Sequence, residues 1–248
     1  MRNYLGGILA FVACLSQAAV LPSDGIEQRS FADGIRLRIM PLGASITYGL
    51  KSTDGNGYRK DLRVKLIDNG NPVNYVGTQI SGTMLDNNTE GWPGYTITEV
   101  HNKANVAVPK YKPNVILVNV GTNDVSGNVD ISAAGERMTS LLDDLYAKSP
   151  RATVILSTLL VRADATMQLR TVSINSQIKT VAAAQQAKNR RLVLVDMESS
   201  SGPVVGDLVD GVHPDDAGYV KMANIWFDGI KTANAKGFLV APEFSENV

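Results

Sequence analysis

Val115-Ile116-Leu117-Val118-Asn119-Val120 is the run that decides the fold. It is almost uniformly apolar and rich in β-branched residues. A strand without polar alternation has no face to give to water, so it belongs in a parallel sheet covered on both sides. Working outward, residues 37–42, 73–78, 153–160 and 192–196 read as four further strands. Segments with apolar residues at helical spacing lie between them. These are 57–68, 96–108 (ended near Pro109), 131–147, 169–187 and 214–235. Pro214 falls in the first turn of the last one, where a missing N–H costs nothing. Strands alternating with helices, and no long linker, predict one α/β domain with helices on both faces of a parallel sheet.

The composition is that of an ordinary globular protein, with 44% apolar and 19% charged residues in 248. Lys plus Arg is 24 and Asp plus Glu is 24, so no basic surplus points to nucleic acid or an anionic membrane. Arg2, the apolar stretch 5–15 and the small residues Ser16-Gln17-Ala18 read as a secretory signal over 1–19. A buried N-terminal helix or a membrane anchor is the alternative. A leader over 20–34 would follow, then the domain over 35–240 and a tail over 241–248. The only cysteine, Cys14, lies inside the signal, so the mature chain would carry no thiol. With two histidines and no mature cysteine, the sequence argues against a transition-metal site, and no cofactor is expected. Asn87-Asn88-Thr89 is a glycosylation sequon, usable only on an exported chain.

In open parallel sheets, ligands bind where the carboxyl ends of strands meet the following loops. Gly43-Ala44-Ser45-Ile46-Thr47 follows the first strand there. Glu90-Gly91-Trp92-Pro93-Gly94-Tyr95 precedes the second long helix, Gly121-Thr122-Asn123-Asp124 follows the 115–120 strand, and Asp210-Gly211-Val212-His213 precedes the last helix. A serine nucleophile needs a base that titrates near neutrality, and imidazole is the usual one. His213 stands on this edge with Asp210 three residues before it, close enough to reach a ring nitrogen and fix the tautomer. His101, inside a helix among Asn102 and Lys103, reads as a solvated surface residue. Each block has a plainer reading: His213 and Asn123 as turn residues, Gly94 as a helix entry, the Ser45 loop as a phosphate cradle. Asp196 is a second candidate for the acid. Asp124, Ser126, Asn128 and Asp130 hint at calcium, but the EF-hand pattern fails and a solvated loop is the better reading.

Taken together and in this order, the four blocks resemble the SGNH (GDSL-like) hydrolases over roughly residues 36–235. The run Ile39-Met40-Pro41-Leu42-Gly43-Ala44-Ser45-Ile46-Thr47 is similar to secreted fungal members related to family-three carbohydrate esterases, which include acetyl xylan esterases. The resemblance implies a flavodoxin-like α/β/α sandwich with a five-stranded parallel sheet. It implies a triad of Ser45, His213 and Asp210, and an oxyanion hole of Ser45 N–H, Gly94 N–H and the Asn123 amide. Ala44 departs from the family's Gly-Asp-Ser, and Trp92 stands where many family-three esterases have histidine. Trp92, Tyr95 and Tyr48 lie near the expected site and could stack on sugar rings or simply pack.

The reading that follows is a secreted, monomeric esterase acting on acetylated plant polysaccharide. A short-chain ester or lysophospholipid hydrolase is one alternative, and a catalytically idle carbohydrate-binding relative is another.

Overall fold

The computed structural model describes Met1 and residues 30–243. The expected signal over 1–19 (Met1 apart), Cys14, the leader as far as 29 and the last five residues of the tail lie outside the described residues. Strands β1 (Leu37–Gly43), β2 (Val73–Tyr75), β3 (Gln79–Ile80), β4 (Asn88–Gly91), β5 (Val115–Asn119), β6 (Thr153–Ser157) and β7 (Leu192–Val195) form one sheet. Helices α1 (Ser45–Tyr48), α2 (Tyr58–Asp68), α3 (Ile97–Tyr111), α4 (Thr122–Gly127), α5 (Ala134–Lys148), α6 (Ala165–Ala187) and α7 (Asp216–Ala235) connect and cover it.

Five parallel strands, in the order β2-β1-β5-β6-β7, make the expected frame. All five residues of β5 are buried, as its uninterrupted apolar run requires. One core lies between the sheet and α3, α5 and α6, around Ile116, Val118, Met138 and Ile178. The other lies between the sheet and α2 and α7, around Ile39, Leu117, Leu62 and Trp226. The molecule is thus a three-layer α/β/α sandwich.

The pair β3–β4 was not anticipated, because its residues are short and polar. β3 and β4 are antiparallel, and β4 adds to β1 in parallel at Leu42 and Gly43. One edge of β1 is therefore shared: β2 takes its first half and β4 its end. Pro41 sits at the change of partner. Val76 N–H bonds Ile39 O and Trp92 N–H bonds Gly43 O, so the odd-numbered residues of β1 face this edge. The nitrogen of Pro41, which has no hydrogen to donate, falls between the two partner strands. That is how a proline fits a central strand.

Several boundaries differ from the sequence expectation. β2 stops at Tyr75, because Thr78 turns to the carboxylate of Glu90 instead. α3 runs past Pro109 to Tyr111, since a proline one turn from the end removes only one internal bond. The helix expected from 131 begins as a 3-10 turn, Ile131–Ala133, before α5. α6 begins at Ala165, capped by the Asp164 side chain. Pro214 lies outside α7, which is capped by Asp215 through Gly218 N–H. The end of the supposed loose leader is packed: Phe31 is buried, with its ring 5.4 Å from that of Phe227.

Candidate active site

Ser45 is the first residue of α1, at the carboxyl end of β1. A first-turn amide has no partner inside its own helix, and Ser45 N–H donates to nothing else among the described residues. Ala44, at the cap position, offers no side-chain oxygen to it. Gly43 brings this turn down onto β5: a Cβ there would overlap Asn119 O and Thr47 Oγ1.

His213 reaches the same place from the loop before α7. Its Nε2 lies 2.8 Å from Ser45 Oγ, across 168 residues of sequence. Its Nδ1 lies 2.9 Å from Asp210 Oδ2 and 3.1 Å from Oδ1. Asp210 Oδ1 also accepts the backbone N–H groups of Val212 and His213, so one carboxylate folds the turn and orients the ring. Burial pushes the Asp210 carboxyl up. The backbone and ring N–H groups of His213 and the N–H of Val212 outweigh it, and the acid lies below its ordinary range. The buried Ser45 and the mostly covered imidazole form a chain from serine through imidazole to carboxylate, with the far end toward solvent.

The loop 92–97 closes the other side. Trp92 N–H bonds Gly43 O, fixing this loop to the strand that carries the serine. Gly94 has φ +84°, a conformation that favours glycine, and its N–H has no partner within the described chain. α4 holds the loop from beneath: Asn123 Nδ2 donates to Tyr95 O at 2.8 Å, and Asp124 Oδ2 accepts Ile97 N–H at 2.9 Å. A primary amide has two hydrogens, so Asn123 retains a second donor. Thr96 and Glu99 form a capping box at the start of α3.

Among the aromatic candidates, Trp92 and Tyr95 stack with centroids 5.5 Å apart, and Lys103 Nζ sits 4.2 Å over the Trp92 ring. Trp92 Nε1 donates to Glu90, which also accepts from Thr78. Glu90 is buried and met only by neutral donors among the described residues, so it holds the indole in one orientation. Tyr48 turns its hydroxyl to Ile80 O and serves the β3 side of the joint.

One alternative falls away and two expectations are corrected here. Asp196 is engaged by Thr158 and Lys179, away from the imidazole that Asp210 occupies. His101 is not simply solvated: its Nε2 lies 2.8 Å from Asp144, tying α3 to α5. Asp124 is fully buried, and Arg137 pairs with the oxygen that Ile97 leaves free. The 124–130 segment is therefore not a solvated loop at its start. Among the described residues, no group of three or more His, Cys, Asp or Glu could hold a metal ion. At the sequon, Asn87 is half-buried with Nδ2 bonded to Gly82 O, and Thr89 is buried.

Comparison with known proteins agrees with this architecture. A multidomain esterase of Ruminococcus flavefaciens is 33% identical over 246 residues, covering 88% of this chain. This chain spans only 31% of that relative's length. A family 3 carbohydrate esterase of Clostridium thermocellum superposes with TM-score 0.72 at 26% identity, over 81% of this chain and 98% of that one. A carbohydrate esterase family 3 structure from Talaromyces cellulolyticus gives TM-score 0.69 at 23% identity, over 81% and 99%, and speaks for the fold alone. The GDSL-like lipase/acylhydrolase family model matches residues 42–221, which include the serine, glycine, asparagine and histidine blocks. On that match, the chain belongs to the GDSL-like lipase/acylhydrolase family.

Proposed function

We propose that the protein is a serine esterase that removes acetyl groups from polysaccharide. The observation that carries this reading is the contact of Ser45 Oγ with an imidazole already held by a carboxylate. Ser45 Oγ attacks the ester carbonyl as His213 Nε2 takes its proton, and Asp210 stabilises the imidazolium that results. Charge developing on the carbonyl oxygen is met by the N–H groups of Ser45 and Gly94 and by the second amide hydrogen of Asn123. Each such donor contributes about 3 kcal/mol in the transition state. His213 then protonates the leaving alcohol, and water repeats the sequence on the acyl-enzyme.

The polysaccharide assignment rests on what the similar proteins are called, a multidomain esterase and family 3 carbohydrate esterases. The fixed Trp92–Tyr95 pair beside Gly94 supplies a wall for a sugar ring. Export belongs to the same reading and rests on the composition of residues 1–19; secreted protein that retained those residues would overturn it. Asn87 is the proposed glycan acceptor, and the burial of Thr89 requires attachment before folding.

A fluorophosphonate probe tests the nucleophile, and acetate release from acetylated xylan and p-nitrophenyl acetate tests the substrate. Wild type is expected to label and to release acetate from both, and Ser45→Ala to do neither. Release from the small ester alone would turn the reading to short-chain esters or lysophospholipids. A folded wild type that binds xylan but neither labels nor hydrolyses would be the idle relative, with Ala44 as the first residue to restore to aspartate.

A further inference from the structure

Arg59, in the first turn of α2, is completely buried. Its guanidinium donates to four backbone carbonyls: Asn87 O at 3.1 Å, Tyr48 O at 3.0 Å, Gly55 O at 3.2 Å and Ser81 O at 3.0 Å. No carboxylate among the described residues pairs with it. Burial pushes its pKa down, yet an arginine stays charged under any ordinary condition. A desolvated cation without a counter-ion is costly, and an apolar side chain would fill the same space at less cost. The charge must therefore hold something that packing alone would not.

Its acceptors say what. Tyr48 is the last residue of α1, whose first residue is Ser45. The last carbonyls of a helix lack internal partners and attract a cation. Ser81 and Asn87 lie on the two arms of the β3–β4 hairpin, joined by the Ser81 N–H bond to Asn87 O. β4 then leads directly to Trp92 and Gly94. Gly91 lies against Tyr48 so closely that a Cβ would come within 2.5 Å of Tyr48 N. The joint between α1 and β4 is thus closed at the front by Trp92 N–H on Gly43 O and at the back by Arg59.

We infer that Arg59 is a positioning residue that sets the spacing of the Ser45 and Gly94 amides by locking α1 to the β3–β4 hairpin. This rests on the oxyanion role proposed above for those two amides. Nη2 meets Tyr48, Gly55 and Ser81 while Nη1 reaches Asn87, so two nitrogens of one planar group hold both sides of the joint, where a lysine offers a single nitrogen.

Arg59→Lys is the test, because it keeps the charge and loses the fork. The folded variant is expected to lose about ten- to a hundredfold in kcat with KM within about twofold. Affinity for a boronic acid that forms a tetrahedral adduct should fall by the same factor as kcat. Independently of catalysis, amide exchange at Gly49, whose bond to Ser45 O closes α1 next to Tyr48, and at Trp92, whose bond to Gly43 O closes the joint, is expected to quicken while that of Ile116 to Val118 in β5 does not. Unchanged exchange at Gly49 and Trp92 would overturn the inference, and so would a rise shared by β5, which reports general destabilisation. Loss of kcat without matching loss of boronate affinity would also overturn it. If Arg59→Lys fails to fold, Arg59→Gln takes its place, and failure of both would assign Arg59 to folding alone. A wild type that hydrolyses no ester would defeat the proposed function, while the exchange measurement would still decide the clamp.

Discussion

Replacing His213 with glutamine is expected to lower kcat for ester hydrolysis by a factor of about 10⁴ to 10⁶. Glutamine keeps a polar side chain of similar reach but takes no proton, so Ser45 Oγ would have to attack as a neutral alcohol. The loss should fall on kcat, with KM little changed, because the imidazole acts on the serine and the leaving group. Asp210→Asn probes the next link and is expected to cost roughly 10⁴-fold. Asparagine can still accept the N–H groups of Val212 and His213, so the turn survives. It no longer offers a charge to Nδ1, and the imidazolium loses its counter-ion. The lowered Asp210 pKa sets the pH behaviour. A carboxyl held below its ordinary range is ionised throughout the interval in which imidazole titrates. The acid limb of kcat/KM is therefore expected to carry no proton from Asp210; a two-proton slope would show that Asp210 titrates within it. A Gln variant within tenfold of wild type, on stopped-flow or steady-state assay, would remove His213 from the mechanism.

Gly43→Ala is expected to destabilise the fold by roughly 3 kcal/mol or more. Gly43 is one of the shortest approaches in the protein, where the turn into α1 presses on β5. Its added Cβ would meet a backbone carbonyl, Asn119 O, and the hydroxyl of a fully buried threonine, Thr47. Neither swings aside: one belongs to the middle strand of the sheet, and the other is enclosed. Relief requires β1 and β5 to separate at the end that carries the serine. Urea unfolding gives the answer directly, and a midpoint within about 0.5 kcal/mol of wild type would mean that the joint is looser than it looks.

The frame was legible because its signals are strong. A strand buried on both faces shows as an unbroken apolar run, as in β5, β7 and the middle of β6; β1 is interrupted by Arg38 and β2 by Asn74, and their places followed from the alternation with helices. The serine and histidine blocks were also legible, because a parallel sheet brings the carboxyl ends of its strands together whatever lies between them. What escaped reading is polar and buried. Arg59, Glu90 and Asp124 look in sequence like residues for solvent; most partners of Arg59 and Asp124 lie far along the chain, and those of Glu90, Thr78 and Trp92, meet it only once β4 has formed. Arg59 takes carbonyls from residues 48, 55, 81 and 87, and Asp124 takes an amide 27 residues earlier. The β3–β4 pair escaped for the opposite reason: with six residues in all, its strands are too short for periodicity to show. His101 was misjudged because its partner, Asp144, is on another helix. Helix ends were displaced by a few residues where a side-chain cap competed with the apolar pattern, as Asp164 and Asp215 do.

The shared edge of β1 bears on how this chain can vary. Residues 76–87 leave β1 beside Pro41 and return to the same strand one step further on, so both ends of the excursion are moored to a single support. Insertions beside the fully exposed Leu85 change little but loop-closure entropy, which rises slowly with length, whereas Asp86 is tied to Arg63 and to Tyr75 N–H and Gly82 lies against Asn56. All four of Arg59's acceptors are main-chain oxygens, and two of them, Ser81 and Asn87, lie in this excursion. Every amino acid supplies a main-chain oxygen, so the acceptors that Arg59 uses at 81 and 87 do not depend on which side chains stand there. Exposed positions of the excursion such as Ile80 and Leu85 are thus where new surface can be added while the neighbouring turn stays in place.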